Sequence, residues 1–299
     1  MRPLPPGYAI APMTAAEAAE LGHWAAQEGW NPGTGDLEVA WAEDPEAFIG
    51  LRHGDQLVGG GSILSYSGAA GFMGLFILQP GLRRQGLGAV LWHERLRRLR
   101  ARLQPGAPIG MDGVFHMAAF YARGGFRHLY RDLRFEGVVP AVLPGPLGQV
   151  EAEVAARVGD LQPADWTAAA AYDASVFGVP RASWLRRWVE RPGVRALLSR
   201  DSAGQVNGLA VRRPALRGAK LGPVFANDAA TAAALLAPLL AEVAGDFVQW
   251  DLPEPNAGAL ALVHPLGWSQ PFGCARMVEG PTDLPGPGQV FGVSSFEFG

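Results

Sequence analysis

The chain has 299 residues, enough for one large domain or two of ordinary size. Hydrophobic residues make up 48% and charged residues 18%, a balance that supports packed cores and excludes wholesale disorder. A net charge of −3 with no long basic run gives non-specific nucleic-acid binding little electrostatic support. No uninterrupted apolar stretch is long enough to span a membrane, and Met1–Ile10 has too little apolar length for a secretory signal. The single Cys274 excludes an internal disulfide, which suits a reducing compartment. A cytoplasmic protein with neither membrane nor nucleic-acid partners is expected.

In chain order, Thr14 and Glu17 form an [ST]-x-x-E capping box that starts a helix running to Gly22 or beyond. The segment Glu28–Gly33 breaks it, and a second helix is predicted over Leu37–Glu46. Phe48–His53 and Gln56–Tyr66 read as a hairpin turning at Gly54-Asp55. Phe72–Leu78 is an apolar strand ended by Pro80-Gly81. A long helix follows from about Gln85 to Leu103, with the stripe Leu87, Val90, Leu91, Leu96, Leu99 and Leu103. Arg95, Arg98 and Arg102 are expected on its solvated faces. A strand near Pro108–Gly113, a helix at Met117–Arg123 and a strand at Leu129–Gly137 complete this half. Pro140, Pro144-Gly145-Pro146 and Gly148 then make a linker at 141–150.

The order repeats in the second half. Helices at Ala164–Val176 and Arg181–Glu190 precede strands at Val194–Ser199, Gly208–Arg213 and Ala219–Phe225. Then come the helix Ala229–Ala244, a strand at Asp246–Leu252, a helix after Asn256 and a strand around Cys274–Glu279. Gly125-Phe126 with Arg134 and Glu136-Gly137 is echoed by Gly267-Trp268 with Arg276 and Glu279-Gly280. The chain reads as a tandem repeat of one α+β unit, with domains at 1–140 and 151–299.

The chemistry concentrates in Phe76–Ala89, a strand, a turn and a helix start where Gly86 and Gly88 clear space beside the first helical turn. Unpaired amides and the helix dipole there favour a phosphate, and Arg83 and Arg84 add charge. Leu91 stands where G-x-G-x-x-G needs its third glycine, and no G-K-[ST] follows, which argues against dinucleotide and P-loop sites.

Arg83, Gly86 and Gly88 match [QR]-x-x-G-x-[GA], so the segment resembles the GNAT (Gcn5-related N-acetyltransferase) superfamily. Tyr121–Phe126 is similar to that family's Y-x-x-x-G-[FY] helix ending. The resemblance extends over nearly the whole chain to a tandem-GNAT subgroup, through Glu28–Gly33 with Asp36, Ile109–Asp112, Asp251–Asn256 and Arg276-Met277. Where that subgroup often runs L-D-A-T-P-x-G, this chain has Met111–Met117, a departure that bears on the choice of acceptor.

The resemblance implies two acyl-CoA N-acyltransferase folds, each a mixed, mostly antiparallel sheet flanked by helices. It implies acetyl-CoA held by the backbone of Phe76, Ile77 and Leu78 and by the loop Arg83, Arg84, Gln85, Gly86, Leu87, Gly88 and Ala89. It makes Tyr121 the acid that protonates the departing thiolate. A Tyr one turn before a glycine also suits plain core packing.

The family's usual strand glutamate is missing from Phe72–Leu78, so Asp36, Glu38 and Asp112 are the candidate bases, with His116 a further one. Those carboxylates equally suit solvated positions, and Asp36 a helix cap. Trp30, Asn31 and Asp36 are candidates for acceptor binding, although Asn-Pro-Gly is also good turn chemistry.

In the second half Val263 replaces the tyrosine, and Phe225–Ala230 has neither arginine nor a glycine pair. That half is expected to keep the fold without acetyl-CoA. The histidines are scattered and only one cysteine is present, so no metal is expected. Trp184 and Trp188, at helical spacing, are expected in the core. The activity implied is acetyl transfer to the primary amine of a small molecule or peptide. The alternatives are a non-catalytic CoA-binding sensor and a transferase of longer acyl groups. Neither the acceptor nor the oligomeric state is legible in the sequence.

Overall fold

The structure, a computed structural model, describes residues 3–281 and 285–299. It divides into two compact units, one of Met1–His128 with Met277–Thr282 and Glu297–Gly299, the other of Leu129–Arg276 with Asp283–Phe296.

In the first unit β1 (Tyr8–Pro12) leads into α1 (Ala15–Gln27) and α2 (Asp36–Glu43). The capping box forms as read: Glu17 N donates to Thr14 Oγ1 at 3.2 Å, and Thr14 N to the Glu17 carboxylate at 2.7 Å. The antiparallel strands β2 (Phe48–His53), β3 (Gln56–Tyr66) and β4 (Ala70–Leu78) follow, then α3 (Leu87–Arg100), β5 (Ile109–Val114) and α4 (Ala118–Arg123). The strand order is β1-β2-β3-β4-β5, and only the last pairing is parallel.

Leu21 and Ala25 of α1 and Leu87, Leu91 and Leu99 of α3 bury themselves with Phe48, Leu51 and Ile63 of the sheet. Arg95 corrects the expected solvated face of α3, since it is only 1% exposed. Its i±4 neighbours are Leu91 and Leu99, so helical geometry puts it in the apolar stripe. Gly61 on β3, lacking a side chain, leaves the space that the guanidinium fills. The C-terminal residues complete this unit: Tyr66 donates its hydroxyl to Phe298 O at 2.5 Å, and Arg100 ion-pairs with Glu279.

The second unit contains most of β6 (Arg127–Val138), followed by α5 (Ala152–Ala155), β7 (Val158–Asp160), α6 (Trp166–Phe177) and α7 (Ala182–Val189). Strands β8 (Arg195–Arg200), β9 (Val206–Pro214) and β10 (Ala219–Ala226) precede α8 (Ala229–Ala241). It ends with β11 (Phe247–Pro253), α9 (Ala257–Val263), most of β12 (Ser269–Glu279) and β13 (Val290–Gly292). The order is β12-β6-β11-β10-β9-β8-β7, with β13 on β10.

The units divide at His128/Leu129, ahead of the Pro-rich segment 141–150, because β6 pairs with β11 from Asp132↔Pro253 to Val138↔Phe247. Leu235, Leu236 and Leu239 of α8 pack with Trp250, Leu252 and Phe291 in the core. Trp184 and Trp188 are fully buried and stacked, their ring centroids 4.6 Å apart. Among the charges buried in this unit, Arg134 holds Asp251 through two hydrogen bonds of 2.6 and 2.7 Å, and Lys220 Nζ lies 3.8 Å from the same carboxylate.

Candidate active site

The ladder between β4 and β5 has two registers, Gly71↔Ile109 and Phe72↔Gly110, yet β4 runs on to Leu78 and β5 to Val114. On the other side of β4, Gly60 pairs with Ile77 and Ser62 with Gly74, so Gly61 alone faces both Leu75 and Phe76. This is a β-bulge, and it sets Leu75, a buried non-glycine residue, at φ +52°. A left-handed leucine costs about 1–2 kcal/mol and persists only where its surroundings enforce it. The bulge takes backbone groups out of the regular ladder just where β4 and β5 part. Phe76, Ile77 and Leu78 form the end of β4 that leads into the glycine loop.

In that loop Arg84 and Gly86 take positive φ of 65° and 85° around Gln85, an alternation of the kind that turns successive amides toward an anion. Gly86 is the N-cap of α3 and makes no side-chain cap bond. The first amides of α3, at Leu87, Gly88 and Ala89, lie in the turn that has no intrahelical acceptors of its own. Gly88 is required by close approach, since a Cβ there would stand 2.9 Å from Leu78 Cδ1. Arg84 is exposed at the loop surface. Arg83 donates Nε to Leu78 O at 2.9 Å and ion-pairs with Glu28, while Gln85 Nε2 donates to Gly81 O at 2.8 Å. Arg83, expected with Arg84 to add charge to the loop, thus braces it together with Gln85.

The corresponding turn of the second unit is closed by its own side chains. Asp228 caps α8, accepting from Thr231 N at 2.7 Å, so a carboxylate already occupies that helix start. Asn227 Oδ1 accepts from Tyr172 Oη at 3.1 Å and from Gln289 Nε2 at 2.7 Å. Burial, with the Asp228 charge adding to it, lifts the Tyr172 hydroxyl well above its usual pKa. Val263, at the tyrosine position, is buried in the core.

Tyr121 of α4 is 4% exposed and packs against Trp92 and Phe120, with centroids 6.2 and 5.6 Å away. Its ring lies on β5 at Gly113, where a Cβ would come within 2.6 Å of the ring edge. Tyr121 also acts electrostatically on Arg95. Burial draws that guanidinium down to about 9, with the Tyr121 charge opposing the fall, so it stays protonated at neutral pH. Arg95 Nη2 donates to Ser62 O at 2.5 Å and to Gly74 O at 2.7 Å, while buried Nε and Nη1 have no partner. Each unsatisfied buried donor costs about 1–3 kcal/mol.

The other candidates fall on two segments, residues 30–38 and 112–116. Asp36 begins α2 and is 2% exposed, its carboxylate lying so close to Gly33 that no side chain fits there. Trp30 and Asn31 are half-buried in the same segment, Asn31 at φ +49°, and Glu38 is exposed. Asp112 is half-buried on β5, and the pleat aims it to the face opposite Gly113, where Tyr121 lies. His116 is exposed. Among the described residues no group of three or more His, Cys, Asp or Glu is placed to hold a metal ion. Leu75, Gly113 and Arg95 are features of this site that the sequence motifs did not mark.

Comparison with known proteins decides the family. The profile of the acetyltransferase (GNAT) family matches residues 15–126, and that of an acetyltransferase (GNAT) domain matches residues 169–292. The chain belongs to the GNAT superfamily of acyltransferases. A holothin acyltransferase of Pseudoalteromonas sp. is 26% identical over 96% of this chain and 93% of its own length. A putative acetyltransferase from Pyrococcus horikoshii has the same fold, with TM-score 0.79 and 21% identity over 100% of this chain and 98% of that one. A tandem GNAT protein from the clavulanic acid biosynthesis pathway aligns at TM-score 0.62 and 19% identity, covering 92% of this chain and 100% of its own. GNAT proteins use an acyl-CoA cosubstrate, and of the two GNAT domains here the first has the helix start without a side-chain cap, while β4 and its counterpart β10 both carry a register shift. Among the described residues no helix is long and apolar enough to cross a membrane.

Proposed function

We propose that the first unit binds acetyl-CoA and transfers its acetyl group to the primary amine of a small molecule or peptide. One observation carries this: β4 and β5 part after two registers, with the bulge at Leu75 on one strand and Tyr121 packed on the other. The amides of Gly86, Leu87 and Gly88 take the pyrophosphate, with Arg84 beside them. The backbone of Phe76–Leu78 takes the pantetheine, as a strand edge takes an extended peptide.

The amine nitrogen attacks the thioester carbonyl carbon, forming the C–N bond. The C–S bond then breaks, and its electron pair leaves on sulfur. The phenol of Tyr121 gives its proton to that thiolate and regains one from solvent. The proton shed by the amine leaves through water, with Asp36, in the segment that also holds Trp30 and Asn31, as the assigned acceptor. The second unit, whose helix start is filled by Asp228, is assigned no acyl-CoA. The name of the 26%-identical relative favours acyl transfer over a purely sensory role. The reading assigns the reaction to the cytoplasm, whose reducing conditions suit a chain with a single cysteine.

The test is free-thiol release from acetyl-CoA and from a long-chain acyl-CoA, across amino acids, polyamines, aminoglycosides and peptides. Amine-dependent release at least tenfold faster from acetyl-CoA is expected. Binding without turnover across the panel would leave a CoA sensor, and faster release from the long chain would overturn the acetyl assignment.

A further inference from the structure

Ser62↔Gly74 is the register pair immediately before the bulge, and one nitrogen of Arg95 holds both carbonyls of that pair. The guanidinium carbon also lies 5.2 Å from the ring centroid of Phe76, one of the two residues the bulge sets opposite Gly61. Arg95 thus touches the bulge on both sides of Leu75. Gly61 gives it room, because a Cβ on Gly61 would overlap the guanidinium.

Stability alone does not account for such a residue. Among the described residues no carboxylate pairs with Arg95, and two of its buried nitrogens make no hydrogen bond. A leucine or methionine on this stripe would bury the same surface without an unpaired charge. An isolated buried cation beside a left-handed leucine, and within electrostatic reach of Tyr121, belongs to the chemistry of the site.

We infer that Arg95 is a positioning residue for acyl transfer: by clamping the carbonyls of Ser62 and Gly74 it holds β4 in the bulged form that receives the thioester carbonyl. The inference rests on the acyl-CoA site proposed above. Without the clamp Leu75 relaxes toward a regular strand, and the backbone that meets the acyl group turns back into the ladder. The pyrophosphate contacts and the pantetheine contacts of Ile77 and Leu78 lie beyond the bulge, which takes in only Phe76 of the CoA-binding backbone. The clamp therefore acts on turnover far more than on the grip on CoA.

The experiment compares wild type with Arg95→Met, Arg95→Lys and Gly61→Ala, the last retaining the arginine but displacing it. It reads kcat with acetyl-CoA, the Kd of CoA, and amide hydrogen exchange at Leu75–Ile77. Expected for Arg95→Met and Gly61→Ala are a kcat at least tenfold lower, a CoA Kd within threefold of wild type, and exchange at Leu75–Ile77 at least tenfold faster. Arg95→Lys should recover part of the turnover. Turnover within twofold of wild type in both Arg95→Met and Gly61→Ala would overturn the inference. So would kcat, CoA affinity and melting temperature falling together in both, which is the mark of a purely structural arginine. A folded wild type that does not bind CoA would overturn the acyl-CoA site itself, before any variant is compared.

Discussion

Tyr121→Phe should lower kcat by about 10²-fold or more, while the Kd of acyl-CoA stays within about threefold of wild type. The two effects separate because the ring and the hydroxyl do different work. The ring fills the space over Gly113 and packs on Trp92 and Phe120, contacts that phenylalanine keeps. In the proposed reaction the hydroxyl alone carries a proton for the departing thiolate. Its protonation keeps the CoA thiolate from returning to the carbonyl, and water replaces a buried phenol badly at a position only 4% exposed. Steady-state kinetics with a titration of CoA measures both quantities. Unchanged kcat would remove Tyr121 from the reaction and leave it a packing residue. A parallel loss of kcat, affinity and melting temperature would point to collapse of the α4–β5 contact.

The largest stability effect should come from Asp251 in the second unit, where Asp251→Ala is expected to cost about 3–5 kcal/mol. The carboxylate is 3% exposed, doubly bonded by Arg134 and approached by Lys220. Its removal leaves the buried Arg134 and Lys220 without the carboxylate they share. Urea unfolding measures the loss, and a change below about 1 kcal/mol would mean that water or a rearrangement compensates.

The same group sets a pH dependence. Desolvation alone would raise the Asp251 pKa, but Arg134, Lys220 and Arg213 outweigh it and hold the folded value below the ordinary one. A depressed folded pKa contributes stability that is present above the unfolded value of about 3.9 and lost as pH falls through the folded value. The gap between wild type and Asp251→Ala should therefore narrow in acid below about pH 4. A gap that widened there would contradict the ion pair.

Much of the frame is legible because its signals are local. The hairpin strands Phe48–His53 and Gln56–Tyr66 coincide with β2 and β3, since alternation and the Gly54–Asp55 turn both lie within the segment. The start of α3 is legible too, because Gly86 and Gly88 serve the turn itself. What escapes the sequence depends on a distant partner. Arg95 reads as a solvated charge until Gly61, on a different element, is seen to make room for it. Leu75 carries no glycine to advertise its left-handed backbone.

Pro140–Gly148 looks like a boundary because proline and glycine punctuate locally. The contact division is instead set by β6 pairing with β11, more than a hundred residues away in sequence. The short β1, ending at Pro12, is defined by its pairing with β2 and has little periodicity of its own.

The proposed acyl-CoA site is centred on the start of α3, which has no side-chain cap, and calorimetric titration of acetyl-CoA addresses it most directly. Wild type is compared with Gly86→Asp, which places at this helix start the carboxylate that Asp228 provides in the second unit. Aspartate also tolerates the left-handed backbone of position 86 better than most side chains. Saturable binding by wild type, weakened at least tenfold in a variant that melts within a few degrees of it, is the expected result. A well-folded wild type that takes up no acetyl-CoA, or a variant that binds it equally well, would contradict the account.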